Sequence, residues 1–143
     1  MYAPIFPSKL QRGDTIAIIA PSRSFSILSS SCIEIANQRF QKLGLQVVFG
    51  KYIQEIDAFA SSSIESRIAD LHWAFSDPSI KAIFTVLGGF NSNQLLPYID
   101  WDLIKNNPKI LCGYSDITAL QNAIFANTGL VTYSGPHYSS FGQ

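Results

Sequence analysis

Short apolar runs alternate along this chain with segments whose apolar residues recur every three or four positions, and that alternation leaves few folds open. Residues 15–20 form a β-branched apolar run that stops at Pro21. Residues 29–43 place Ile33, Ala36, Phe40 and Leu43 at helical spacing, with Gly44 as a stop. Residues 46–49 make a second strand. In residues 62–75, Ile64, Ile68, Leu71 and Phe75 share one helical face before Asp77-Pro78 ends the helix. A third strand is predicted over 82–87, closed by Gly88-Gly89, and short helices over 92–98 and 102–106. Residues 110–112 give a fourth strand, 115–127 a helix and 131–134 a fifth strand. Continuously apolar strands separated by helices predict a parallel sheet covered on both faces. The expected fold class is therefore α/β, a three-layer, doubly wound, flavodoxin- or Rossmann-like domain, with its site at the carboxyl ends of the strands.

Composition narrows the function classes. The chain has 143 residues, enough for one domain with a real core. Ten basic and ten acidic residues cancel, which argues against a nucleic-acid footprint or a polybasic membrane patch. Cys32 and Cys112 fall in different apolar segments without metal-ligand spacing, and they read as reduced thiols of a cytoplasmic protein. Neither a signal peptide nor a membrane-spanning apolar run is visible. No metal or cofactor is expected.

Three strand ends carry the chemistry. Ala20-Pro21-Ser22-Arg23-Ser24-Phe25-Ser26 offers hydroxyls and one arginine, a phosphate cradle without the glycines of a P-loop. Gly88-Gly89-Phe90-Asn91-Ser92-Asn93-Gln94 lets backbone approach a ligand and can aim N–H groups at developing negative charge. Asn91 or Ser92 capping the next helix would explain the same residues without a ligand. In Cys112-Gly113-Tyr114-Ser115-Asp116, an apolar run stops and a serine follows where a helix should begin. This is how an α/β hydrolase presents its nucleophile, and it is also how a serine caps a helix.

The chain resembles the LD-carboxypeptidase family of serine peptidases, and within it the microcin C self-immunity peptidases. The resemblance runs from Pro7-Ser8-Lys9-Leu10-Gln11-Arg12-Gly13-Asp14 to Ser134-Gly135-Pro136-His137. It includes Ala20-Pro21-Ser22, residues 61–71 and Gly113-Tyr114-Ser115-Asp116-Ile117-Thr118. The resemblance implies Ser115 as nucleophile and an oxyanion hole of the Gly89 and Asp116 backbone amides. Candidate substrate contacts are Ser22, Gly88, Asn91 and Gln94. Muropeptide-cleaving members typically carry an arginine where Gln94 stands, and an arginine pairs bidentately with a carboxylate as glutamine cannot. The Asn-Ser-Asn-Gln version resembles the immunity peptidases, which hydrolyse an amide joining a C-terminal aspartate to a modified nucleotide.

The resemblance further implies a Ser-Glu-His triad whose glutamate and histidine lie in a second, C-terminal domain. Residues 1–143 are accordingly expected to be the N-terminal, nucleophile-bearing domain of a two-domain enzyme, dimeric at full length and inactive as this piece alone. Of the two histidines, His72 borders the apolar stripe of its helix and reads as a packed residue. His137 falls at a scaffold position outside the triad. The expected substrate is a small peptide or peptidyl-nucleotide, with murein tetrapeptide as the alternative. Two other classes stay open. One is a phosphate- or nucleotide-binding module built on Ser22, Arg23 and Ser24. The other is an interaction role, suggested by ten Phe, six Tyr and two Trp in a chain of zero net charge.

Overall fold

The computed structural model describes residues 3–143. Its strands are β1 (Thr15–Ile19), β2 (Gln46–Phe49), β3 (Ile80–Thr85), β4 (Ile110–Gly113) and β5 (Tyr133–Ser134). Its α-helices are α1 (Ser30–Lys42), α2 (Ile64–Ser76), α3 (Trp101–Asn106) and α4 (Ile117–Thr128). The strands form one sheet in the order β2-β1-β3-β4-β5, and every pairing is parallel.

The side-chain alternation of β1 explains the three layers. Ile16 and Ile18 point to the face covered by Ala36 and Phe40 of α1 and by Tyr138. Ala17 and Ile19 point to the opposite face, where Leu71 and Phe75 of α2 and Leu120 and Ile124 of α4 cover them. Both faces are dry, so the strand must be apolar at every position. Each large buried side chain contributes about 1.5–3 kcal/mol of transfer free energy relative to exposure. Helix ends follow local chemistry: Ser29 accepts from the Cys32 amide, Ser63 from that of Ser66, and Asp100 from that of Leu103. Gly44, at φ +77°, takes the left-handed residue that ends α1.

The expected elements are present with shifted ends. Strand β5 starts at Tyr133 and not 131, α2 starts at Ile64 and not 62, and β3 ends at Thr85 and not 87. Three further differences have physical reasons. Strand β3 begins at Ile80, two residues before the expected start, because Ile80 joins the ladder with β1. Residues 92–98 wind as a 3-10 helix with Pro97 inside it, and proline lacks the N–H that an α-helical ladder needs there. Helix α4 begins at Ile117 because Ser115, expected as its first residue, has a left-handed backbone.

The strand order places a topological switch between β1 and β3, since the chain leaves β1 toward β2 and returns on the other side. Ligand crevices of doubly wound sheets form at the carboxyl ends of such a pair. The Ser22 loop follows β1, the Gly88-Gly89 loop follows β3, and Ser115 follows β4 one strand further along.

Candidate active site

Ser115 is the exception to ordinary backbone geometry at this edge. Its φ is +61°, a region that disfavours residues bearing a Cβ by about 1–2 kcal/mol. The residue is exposed. Asp116, with αR angles and no side-chain capping bond, is the cap residue of α4, so the Ser115 hydroxyl does not serve as the helix cap. Instead the Ser115 carbonyl accepts from the Thr118 amide at 3.0 Å, which hangs the first helical turn from the strained residue. Strand, tight turn and helix thus hold an exposed hydroxyl at a strand's carboxyl end.

The turn is packed from two sides by glycines. A Cβ on Gly88 would stand 3.1 Å from both Cβ and Oγ of Ser115 and 3.7 Å from the Asp116 nitrogen, so the Gly88-Gly89 loop lies directly against the Ser115 turn. A Cβ on Gly113 would overlap Thr85 Oγ1 and come within 3.4 Å of His137 Nδ1. Among the described residues no acceptor takes the backbone N–H of Gly89 or of Asp116. Two free amides therefore belong to the pair of loops that meet at Ser115.

Asp116 ties three loops together. Its Oδ2 accepts from the Ser22 hydroxyl at 2.7 Å and from the Ser92 amide at 2.9 Å, while its own carbonyl accepts from Ser92 Oγ at 2.8 Å. Beneath this sits Arg67 of α2, only 4% exposed. Its Nη1 donates to the carbonyls of Pro21 and Asn91, its Nε to that of Ser62, and its Nη2 to Gln94 Oε1 at 2.7 Å. Burial pulls its pKa down, while the charges of Asp57 and Asp116 hold it up, and a guanidinium so placed stays charged. Arg67 was legible only in part: it falls on the apolar stripe between Ile64 and Leu71, where a charge needs internal partners.

An open cleft of about 300 Å³ lies over Ser115, walled by Gly88 and Gly89 together with Arg23, Tyr114 and His137. The other candidate contacts stand outside that wall. Ser22 is fully buried with its hydroxyl engaged by Asp116. Asn91 is buried, with its amide nitrogen on Ser61 Oγ. Gln94 is exposed, with its side-chain oxygen held by Arg67. In the loop of residues 20–26 part of the donor set is engaged within the protein. Ser24 Oγ turns inward to the Ile53 carbonyl, and Arg23 Nε donates to the Gly88 carbonyl at 3.0 Å.

Neither histidine is bonded to Ser115. His72 Nε2 accepts from the Asp100 amide at 3.0 Å, and burial lowers its pKa. His137 is 2% exposed, with Nδ1 2.7 Å from Thr85 Oγ1 and its ring 4.3 Å from that of Tyr114. Burial, then the nearby Arg23 charge, push its pKa down to about 4. Its Nε2 is buried with no hydrogen-bond partner among the described residues. Both rings brace the scaffold as neutral imidazoles. Among the described residues no His, Cys, Asp or Glu group has the clustering of a metal site, and no helix is long and apolar enough to cross a membrane.

The family model described as the LD-carboxypeptidase N-terminal domain matches residues 16–135. The chain belongs to the LD-carboxypeptidase family. A crystal structure of an MccF-like protein from Bacillus anthracis is 60% identical and superposes with a TM-score of 0.96, covering 96% of this chain and 42% of that one. The "Probable murein peptide carboxypeptidase" of Bacillus subtilis is 40% identical over 134 residues, 94% of this chain and 41% of that protein. The microcin C7 self-immunity protein MccF of Escherichia coli is 37% identical over 141 residues, 98% of this chain and 41% of that protein. A structure of MccF in complex with aspartyl sulfamoyl adenosine superposes with a TM-score of 0.93, covering 98% of this chain and 42% of that one. The chain thus spans about two fifths of the length of the relatives it matches. Membership in this family makes it carboxypeptidase-like, and the α/β fold is the one its MccF relatives share.

Proposed function

We propose that this chain carries the nucleophile and oxyanion hole of a serine carboxypeptidase-like hydrolase that cleaves an amide next to an acidic residue. The observation that carries the reading is the left-handed, exposed Ser115 with the Gly88-Gly89 loop against it. In this reading Ser115 Oγ attacks the scissile carbonyl. The unengaged amides of Gly89 and Asp116 receive the negative charge that develops on the carbonyl oxygen. Asp116 and Arg67 hold the three loops in register, so those amides need no rearrangement when charge appears.

A serine hydroxyl is a weak nucleophile until a base accepts its proton. His137, neutral, buried and bonded to Thr85, is already committed elsewhere. We therefore assign the base, and the glutamate that would orient it, to residues beyond these 143. Hydrolysis then belongs to the longer protein, and the piece alone is inactive.

For substrate, we favour an aspartyl-nucleotide-like amide over a murein peptide. Gln94 brings no cation to its loop, and its oxygen is already held by Arg67. The MccF relative is described with aspartyl sulfamoyl adenosine bound. The full-length protein should react with a fluorophosphonate at Ser115 and hydrolyse the aspartyl-nucleotide faster than a murein tetrapeptide. Faster turnover of the tetrapeptide would overturn the substrate assignment. Full activity in Ser115→Ala would overturn the nucleophile.

A further inference from the structure

Arg23 is a side chain at the cleft that the reading above leaves without a role, and its geometry supplies one. It is held before any substrate arrives. Its backbone bridges to Ser61, and the next amide, Ser24 N–H, donates to the Ala60 carbonyl at 2.7 Å. Its stem lies flat on the glycine pair, with Cγ 2.9 Å from where a Cβ of Gly89 would stand. Its Nε donates to the Gly88 carbonyl at 3.0 Å. Among the described residues no carboxylate pairs with this half-buried guanidinium.

The Gly88 carbonyl and the Gly89 N–H are two ends of one peptide unit. No peptide bond among the described residues is cis, and in a trans unit the C=O and N–H point in opposite directions. A donor that fixes the carbonyl end therefore fixes the direction of the N–H as well. Two adjacent glycines have the softest backbone available, and without an anchor this unit can rotate. A charged donor also polarises the amide it binds, which strengthens the N–H at the far end as a donor.

We propose that Arg23 is a positioning residue that locks and polarises the Gly88–Gly89 peptide, keeping the Gly89 N–H aimed at the oxyanion formed on Ser115 attack. This rests on the Ser115 and Gly89 assignments above. Arg23 acts through the peptide, without touching the reacting atoms. Its loss should then raise the barrier of the chemical step and leave substrate binding nearly unchanged.

The test is steady-state kinetics of the full-length protein and its Arg23→Met, Arg23→Lys and Ser115→Ala variants on the faster of the two amide substrates. Affinity for a peptide boronate, which mimics the tetrahedral adduct, is measured alongside. Deleting an oxyanion donor outright costs about 10²–10³ in kcat, so misaiming one should cost about tenfold. The expected result for Arg23→Met is that tenfold fall in kcat, KM within twofold, and a matching loss of boronate affinity. Arg23→Lys, which keeps a charged donor, should recover part of kcat. Should Arg23→Met not fold, Arg23→Lys carries the same split with a smaller fall. Unchanged kcat, or a raised KM at constant kcat, overturns the inference, the latter showing that Arg23 reads a charge on the substrate. An active Ser115→Ala variant overturns the underlying site instead. An inactive one beside unaltered Arg23→Met kinetics overturns only the role of Arg23.

Discussion

The hydroxyl of Ser22, in the loop after β1, donates to Asp116 Oδ2 at 2.7 Å across 94 residues of sequence, and this bond joins that loop to the Ser115 turn. Asp116 is the residue after Ser115, so its carboxylate steers the amide that we assign to the oxyanion hole. Ser22→Ala leaves that partly buried oxygen with the Ser92 amide alone. Losing one of its two hydrogen bonds costs about 0.5–1.5 kcal/mol. Urea unfolding of Ser22→Ala should show that loss, with kcat falling more than KM rises. Stability equal to wild type would mean that water replaces the hydroxyl at no cost.

Gly89 is confined by the same contact. A methyl group there would overlap Ser22 Oγ and press on the Arg23 stem at 2.9 Å. Gly89→Ala should destabilise by about 1–3 kcal/mol, the range for overpacking a filled site, and should displace Ser22 from Asp116. Activity should fall further than in Ser22→Ala, because the substitution also moves the peptide proposed to bind the oxyanion. Wild-type kinetics in Gly89→Ala would show that the loop has slack and that its amide is not aimed.

The layers were legible because β1 and the helical stripes are local patterns. Ile16 and Ile18 against Ala17 and Ile19 announce two dry faces, and Ile64, Ile68 and Leu71 announce a helix. Ser115 was legible as a turn serine under backbone strain, because a nucleophile turn needs such strain to aim its side chain. The left-handed φ of +61° itself was not read. Gly113 is glycine for lack of room beside Thr85 and His137. Ser22, Asn91 and Gln94 read as ligand contacts because they lie in polar loops at strand ends and because of the family resemblance, which sets Gln94 where relatives carry an arginine. Their partners, Asp116, Ser61 and Arg67, lie 94, 30 and 27 residues away, and no local pattern encodes such pairings.

His137 sets a pH dependence of stability. Its pKa is about 4 in the fold and near the ordinary 6.5 when unfolded. Between those values the unfolded chain binds a proton that the native one does not, so stability is full above about pH 6.5 and falls as pH drops toward 4. The difference amounts to roughly 3 kcal/mol at most. His72, lowered by burial, acts in the same direction and, being more accessible, more weakly. Urea midpoints at pH 7.5 and 4.5 should fall further in wild type than in His137→Asn. Equal falls would assign the acid sensitivity to other groups.

Arg67 holds the carbonyls of Pro21, Ser62 and Asn91 and the oxygen of Gln94 with one planar fork. Lysine has a compact ammonium in place of the fork and cannot reach all four acceptors at once. Arg67→Lys should lower stability by about 2 kcal/mol or more through acceptors left without a donor. It should also loosen the loops after β1 and β3 together, read as faster amide exchange at Ser24 and Gln94, whose N–H groups bond to Ala60 and Asn91. Exchange that rises in only one loop would show that the two are not joined through this side chain.

Ser115 holds backbone strain, which the proposed nucleophile role would use to aim its hydroxyl. At φ +61° any side chain with a Cβ is disfavoured by about 1–2 kcal/mol, and glycine is not. Glycine loses more chain entropy on folding, about 0.5–1 kcal/mol, which offsets part of the relief. Ser115→Gly should therefore be at least as stable as wild type. Ser115→Ala keeps the Cβ and the strain, so it should show no such relief. Both variants lack the hydroxyl, and both should lose fluorophosphonate labelling and turnover in the full-length protein. A nucleophile turn that trades stability for the aim of its hydroxyl predicts this split between stability and activity. Thermal midpoints of the three proteins decide it: Ser115→Gly no more stable than Ser115→Ala would mean that the left-handed turn costs the fold nothing.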